Sequence, residues 1–269
     1  MRSPLLPDKT SAKLSNRTAN PNGNKTINYE LACDYNSLRG KRFGIPWSII
    51  NYYSMNPNAS AAYLNNPVEE PVVAAYNASI ALIAKAGGIL VPTNLTVPGA
   101  YNSGGNETIV LDADFIVNIA TYLNELVYNP NNITTLEELR DWTESFPGEQ
   151  WSPTSRDVGI WNQSLNLGFN NTSPQFWTAY QNDQYLGGAG GLFGAIARDN
   201  LSAVLMPTQF SPSFAAIVGA PVVTVPMGFY PANTTVVKNS FGNLVATAPN
   251  IPFGLSFMGN KWSEYELIY

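Results

Sequence analysis

Histidine is absent from this 269-residue chain, and cysteine occurs once, at Cys33. Without histidine, Ser-His-Asp and Cys-His catalysis are excluded within the chain, as is any histidine-ligated metal. A single cysteine permits no internal disulfide and no cysteine-cluster metal site. Cys33 is expected to be a free, buried thiol, because nothing here could activate it as a histidine neighbour would. Charge is also scarce: Asp, Glu, Lys and Arg make up 12% of the residues, about half the usual share. No run of about twenty apolar residues occurs, so no membrane-spanning helix and no membrane partner are expected. The N-terminus, Met1-Arg2-Ser3-Pro4-Leu5-Leu6-Pro7, has no apolar stretch long enough for a signal peptide.

What is present describes a globular domain. Hydrophobic residues reach 45%, with 12 Phe, 14 Tyr and 6 Trp to fill a core. The net charge is −5, and the 14 lysines and arginines are scattered. Phosphate binding needs them clustered. Arg39-Gly40-Lys41-Arg42 is the only dense basic group and reads as a solvated turn beside a strand, so no nucleic-acid partner is expected. Asn-x-Ser/Thr sequons are dense: they begin at Asn16, Asn24, Asn58, Asn77, Asn94, Asn106, Asn132, Asn162, Asn170, Asn171, Asn200 and Asn233. In a chain of low charge this points to a secreted glycoprotein whose glycans supply solubility.

Residues 1–30 are polar and read as a leader or loop. Arg42 to Trp47 is a short apolar run that reads as a strand. Asn66, Pro67 and Glu69 then form a helix start, and Val72, Tyr76, Ile80 and Ile83 recur on one face. Gly87-Gly88 ends that helix, and Ile89-Leu90-Val91 follows as a strand. The three elements predict a strand–helix–strand crossover. Asp112 to Tyr128 predicts a second helix with Phe115, Ile119, Tyr122, Leu123 and Leu126 inward. Thr135 and Glu138 form a capping box for a third, stopped by Pro147-Gly148. Ser173-Pro174 opens a fourth, and Leu192 to Asp199 continues helically. Val204–Met206, Val222–Val225 and Leu255–Phe257 are apolar runs that fit strands buried on both faces. Trp262 to Tyr269 begins another helix. The pattern is one α/β unit without internal repeat or linker.

The candidate chemistry is thin. Gly187-Gly188-Ala189-Gly190-Gly191-Leu192-Phe193-Gly194 follows a helix rather than a strand, and no Gly-Lys-Ser/Thr ends it. It fits neither a dinucleotide fingerprint nor a P-loop, and reads as a helix–helix junction. Asp112 and Asp114 sit where a helix N-terminus favours acids. Glu137, Glu138, Asp141 and Glu144 occupy a polar helix face. Without histidine, a buried neutral lysine would have to serve as base to a serine. Lys85 and Lys261 stand next to no glycine-bounded serine, so no complete catalytic set can be assembled.

Three C-terminal blocks carry a family resemblance: Ala203-Val-Leu-Met-Pro-Thr208, Gly219 to Phe229, and Pro252 to Glu264. In order and spacing they resemble the C-terminal part of the amidase signature family, serine hydrolases of carbon–nitrogen amide bonds. Cys33 to Pro46, Asp112 to Phe115, Tyr128 to Thr134 and Leu165 to Asn171 are similar to its secreted, fungal-type branch. The resemblance implies an α/β fold, a mixed sheet covered by helices on both faces. It implies a linear amide substrate in the complete protein, acyl transfer to serine, and neither metal nor cofactor. The family's lysine and its paired serines on a Gly-Gly-Ser-Ser-Gly-Gly loop have no counterpart here, so no catalytic residue is assigned. Residues 31–269 are then expected to be the C-terminal part of a single amidase domain, truncated at both ends and inactive alone. Its signal peptide would lie with the missing front half. By the same analogy Thr208, Gln209, Phe210 and Ile217 line the substrate pocket. The alternative is a non-catalytic secreted module that binds a small amide or saccharide through aromatic residues.

Overall fold

The computed structural model describes residues 29–34, 36–50, 70–95, 105–149, 157–239 and 242–269. Its centre is a mixed five-stranded sheet. The strands are β1 (Arg42–Ile45), β2 (Ile89–Pro92), β3 (Ala203–Pro207), β4 (Val222–Phe229) and β7 (Pro252–Met258), in the order β2-β1-β3-β7-β4. Between the last two in sequence lies a small hairpin, β5 (Val237–Lys238) with β6 (Val245–Thr247). β1 runs parallel to both β2 and β3, whereas β7 runs antiparallel to β3 and β4.

The predicted crossover is present. α1 (Glu70–Lys85) joins β1 to β2 and buries Val72, Tyr76, Ile80 and Ile83. The expected cap at Asn66 lies outside the described residues. Gly87, at φ +94°, takes the left-handed turn that frees the chain to enter β2. The alternation of β3 then assigns the two sheet faces. Ala203 and Leu205 meet α1 through Phe43, Ile45, Tyr76 and Ile80. Val204 and Met206 point the other way, towards α6 (Leu192–Asp199) and α7 (Ser211–Ala216). All five residues of β3 are buried, as expected for a strand covered on both faces.

A helical layer completes the chain: α2 (Asn106–Glu125), α3 (Leu136–Ser145), α4 (Gly159–Asn166) and α5 (Pro174–Gly187). α2 packs on α4 and α5. Thr135 and Glu138 make the expected reciprocal capping box on α3, and the Ser173 hydroxyl accepts from the Phe176 amide at the start of α5. The short α8 (Glu264–Ile268) ends the chain.

Several expectations are corrected. α2 begins at Asn106, six residues before the expected start, so Asp112 lies inside the helix and owes nothing to its dipole. It is buried because it accepts hydrogen bonds from Gln163 Nε2 (2.7 Å) and Ser164 Oγ (2.8 Å) on α4. Tyr122 was expected inside but is 59% exposed, since α4 and α5 cover the Asp112, Ala113 and Leu123 side instead. β4 was expected to be buried on both faces. It is an edge strand, with Val222 and Val225 about two-fifths exposed and a register shift beside Pro226. Cys33 is free but exposed. α4, α7 and the β5–β6 hairpin were not foreseen.

The glycine run is the helix–helix junction expected of it. A Cβ on Gly194 would fall on the Ala189 carbonyl oxygen, and one on Gly187 would lie 2.7 Å from Val218 Cγ1. Close approach, not ligand binding, explains these glycines.

Arg42 ties the sheet to α6 by donating to the carbonyls of Asp199 and Asn200 (3.1–3.3 Å). Asp199 in turn accepts from Thr93 Oγ1 and from Arg198. The Arg198 hydrogen bond and then that of Thr93 hold the Asp199 carboxyl below the usual range. A carboxyl depressed in the folded state adds stability above its unfolded value, near pH 4, and loses it as the pH falls further. Asp199→Asn is therefore expected to lower stability at neutral pH and to flatten the acid limb of a stability–pH curve. An unchanged acid limb would remove Asp199 from that account. Gly194→Ala is expected to cost about 1–3 kcal/mol in denaturant unfolding, as overpacking against backbone.

Candidate functional site

β3 ends at Pro207, and the chain turns at once into α7. Thr208 keeps one more rung of the sheet by donating its amide to the Gly254 carbonyl at 2.9 Å. Ser211 N then donates to the Thr208 carbonyl (3.2 Å), and the side chain of Phe210, 1% exposed, pins the turn to the core. Gly254 on β7 makes this approach possible, because a Cβ there would meet Thr208 Oγ1 at 2.7 Å.

The result is a groove of about 500 Å³ at the end of the sheet. Thr208, Gln209 and Thr224 give it polar groups. Val225, Ile251 and Phe253 give it apolar walls, and the Tyr230 and Phe253 rings meet edge to face at 5.1 Å. Among the described residues its lining contains no carboxylate, lysine or arginine.

Below the groove four hydroxyls meet. Ser256 Oγ lies 2.8 Å from Thr224 Oγ1, 3.0 Å from Ser211 Oγ and 3.0 Å from Thr208 Oγ1. Ser256 is completely buried and has one hydrogen to give. With that hydrogen donated to Thr208, Thr224 must donate to Ser256 across the 2.8 Å contact. Ser211 has two acceptors within 3.0 Å, Ser256 Oγ and the Thr208 carbonyl. This count assigns the hydroxyl hydrogens. It leaves the Thr208 hydrogen with no acceptor among the described residues, and Thr208 lines the groove. Thr208 is thus a hydrogen-bond donor to whatever carbonyl or carboxylate oxygen enters.

The four residues expected at a pocket divide. Thr208 and Gln209 line the groove. Phe210 is core and supports the turn from behind. Ile217 belongs to a different cavity, beside Asp183 and Gln184, because α7 carries the chain away from the groove before reaching it. Thr224, Ser256, Tyr230 and Phe253 were missed. The sequence held one signal for two of them: a single hydroxyl residue inside each apolar strand run, at Thr224 and at Ser256.

The other candidates are structural. Asp114 accepts from Asn171 Nδ2 at 2.8 Å. Glu138 serves the cap of α3, and Glu137 and Asp141 pair with Arg140. Acyl transfer needs a nucleophile, a base and an oxyanion hole. Among the described residues the groove has hydroxyls and donors but no base to activate them. What it can do is hold a neutral, hydrogen-bonding ligand.

Ser256→Ala removes the hub of the hydroxyl cluster and is expected to lower unfolding free energy by about 1–3 kcal/mol. A change within about 0.3 kcal/mol would mean that the four hydroxyls do not act as one cluster.

No family model matches the chain. A protein of Arthroderma benhamiae that carries an amidase designation is 38% identical over 241 residues, 89% of this chain and 38% of the relative. A second, from Arabidopsis thaliana and also designated an amidase, is 28% identical over 190 residues, 67% of this chain and 32% of the relative. The chain therefore spans about a third of the length of these relatives. Among solved structures, the native peptide amidase from Stenotrophomonas maltophilia superimposes with a TM-score of 0.64. The superposition covers 91% of this chain and 44% of that one at 23% identity, a likeness of fold. The relatives and the sheet architecture agree, and the chain belongs to the amidase family.

Proposed function

We propose that this chain is the C-terminal, pocket-wall part of a longer serine amidase that hydrolyses linear amides, and that it is inactive alone. The observation that carries the reading is the groove at Thr208: about 500 Å³, lined by hydrogen-bonding and apolar groups, with no base. In this reading the Thr208 hydroxyl and Gln209 hold the substrate, and the reacting serine and lysine come from the part of the protein that precedes this chain. The relatives' greater length supports that division. The groove's Tyr230 and Phe253 also fit the alternative, a module that binds a small amide or saccharide without turning it over.

The test compares this chain with the longer protein on simple linear amides. The expected result is hydrolysis by the longer protein and none by the chain. In the longer protein Thr208→Val is expected to raise KM about tenfold with kcat little changed, the mark of lost ground-state binding. Turnover by the purified chain would overturn the assignment. Saturable saccharide binding by the chain, with no amidase activity in the longer protein, would favour the module.

We further propose that the parent is a secreted glycoprotein. Asn77, Asn94, Asn132, Asn200 and Asn233 are exposed, and Asn106, Asn162, Asn170 and Asn171 are half-buried. Asn16, Asn24 and Asn58 lie outside the described residues. The adjacent pair is instructive. Asn171 commits its Nδ2, the atom a glycan would occupy, to Asp114, whereas Asn170 uses only its oxygen, accepting from Thr172 N and Oγ1. Mass mapping of protein from a secreting host is expected to find glycan at Asn170 and the exposed sites, with Asn171 bare. Glycan on Asn171, or on none of these sites, would contradict the proposal.

A further inference from the structure

Asp112, on α2, is 4% exposed, and its two carboxyl oxygens accept from neutral donors, Oδ1 from Ser164 Oγ and Oδ2 from Gln163 Nε2. Buried acids are ordinarily paired with a cation. Asp112 has no ion pair among the described residues. Arg140, the cation that α3 brings to α4, is already engaged: it donates to Asn162 Oδ1 and pairs with Glu137 and Asp141.

Asp112 also lines a cavity of about 300 Å³ between α2 and α4. The cavity shares no residue with the Thr208 groove. Phe115 of α2 and Trp161 of α4 give it aromatic walls, and Leu111 and Ile160, both largely exposed, stand at its open side. Asp157 reaches it from the residue before the cap of α4. Unlike Asp112, Asp157 is exposed, and its Oδ1 accepts from the Gly159 amide at 2.9 Å. That bond anchors the carboxyl at the start of α4 and leaves its second oxygen for a ligand.

The lining selects the ligand. Its titratable groups are two acids, Asp112 and Asp157, which favour a cation over an anion. Calcium and magnesium require six or more oxygen ligands, and Leu111, Phe115, Ile160 and Trp161 offer none on their side chains. A primary ammonium carries three hydrogens that each seek an acceptor. Here both Asp112 oxygens and one of Asp157 already hold donors. A quaternary ammonium ion needs no hydrogen bond, and is held by negative charge and aromatic rings. The volume is that of about ten waters, room for a trimethylammonium head with a short tail. We propose that this cavity binds a small quaternary ammonium ion of the choline class. Its head lies among Phe115, Trp161 and the Asp157 carboxyl, and buried Asp112 adds its field from behind.

The probe is choline chloride, with neohexyl alcohol, its uncharged carbon isostere, as the control. Each is titrated at constant ionic strength into the folded protein, in its longer form if that is how the chain is obtained. Binding is followed by isothermal titration calorimetry. The expected result is saturable binding of choline with a Kd below about 10 mM, ordinary for a ligand of this size. The isostere is expected to bind about fivefold more weakly or less. Asp157→Asn keeps an oxygen for the Gly159 amide and removes the charge. It is expected to weaken choline about fivefold and to leave the isostere unchanged. Ile160 is 71% exposed, so Ile160→Lys sets a cation at the mouth without touching the core and is expected to weaken choline at least as much. If Asp157→Asn does not fold, Ile160→Lys decides. The proposal is overturned by the absence of saturable choline binding, by equal binding of the isostere, or by undiminished binding in folded Asp157→Asn or Ile160→Lys. None of these outcomes bears on amide hydrolysis at the Thr208 groove.

Discussion

The structure depends on the complete burial of β3. Its five residues are buried between β1 on one edge, β7 on the other and apolar layers on both faces. Cut off from solvent, such a strand must find partners for its backbone within the protein. β1 supplies a parallel edge and β7 an antiparallel one, so the direction of the sheet changes across β3. The end of β3 is then fixed in space. Thr208 takes the last rung, the turn is held by Phe210, and the groove forms where the sheet stops. Tyr76 strengthens the same point from the other side, donating its phenol to the Leu205 carbonyl at 3.0 Å while buried beneath α1.

Much of this could be read from the residues. α1 was legible because Val72, Tyr76, Ile80 and Ile83 repeat at helical spacing and all reach the core. The capping box of α3 was legible because its signal is local. β3 was legible as an apolar run bounded by proline. What escaped was set by tertiary neighbours. β4 has the same apolar run as β3, but its place at the sheet edge is a property of topology, not of its own residues. α2 carries apolar residues on more than one side, so its sequence did not show which side α4 and α5 would cover. α7 is too short, at six residues, to show a helical period.

Of the four residues expected at a pocket, two line the groove. Thr208 and Gln209 follow the strand directly, so locating the strand located them. Ile217 did not follow, because an unforeseen helix lay between. The hydroxyl cluster needed the register Met206↔Ser256 and Thr224↔Ser256, which brings three distant strands to one point. Asp112 needed more still, since nothing in its neighbourhood of sequence distinguishes a buried acid from a surface one. The two cavities differ in kind. The groove is neutral and rich in hydroxyls, while the helical cavity is acidic and aromatic. The first suits the neutral amide proposed for it.

The central claim is that the Thr208 groove holds a neutral amide by a hydroxyl donor fixed from below. A crystal structure of the protein with a small amide such as benzamide tests it most directly. The account places the amide oxygen within hydrogen-bond distance of Thr208 Oγ1, with the ring against Phe253. Benzamide bound elsewhere, or bound in the groove with Thr208 turned away from it, would contradict the account.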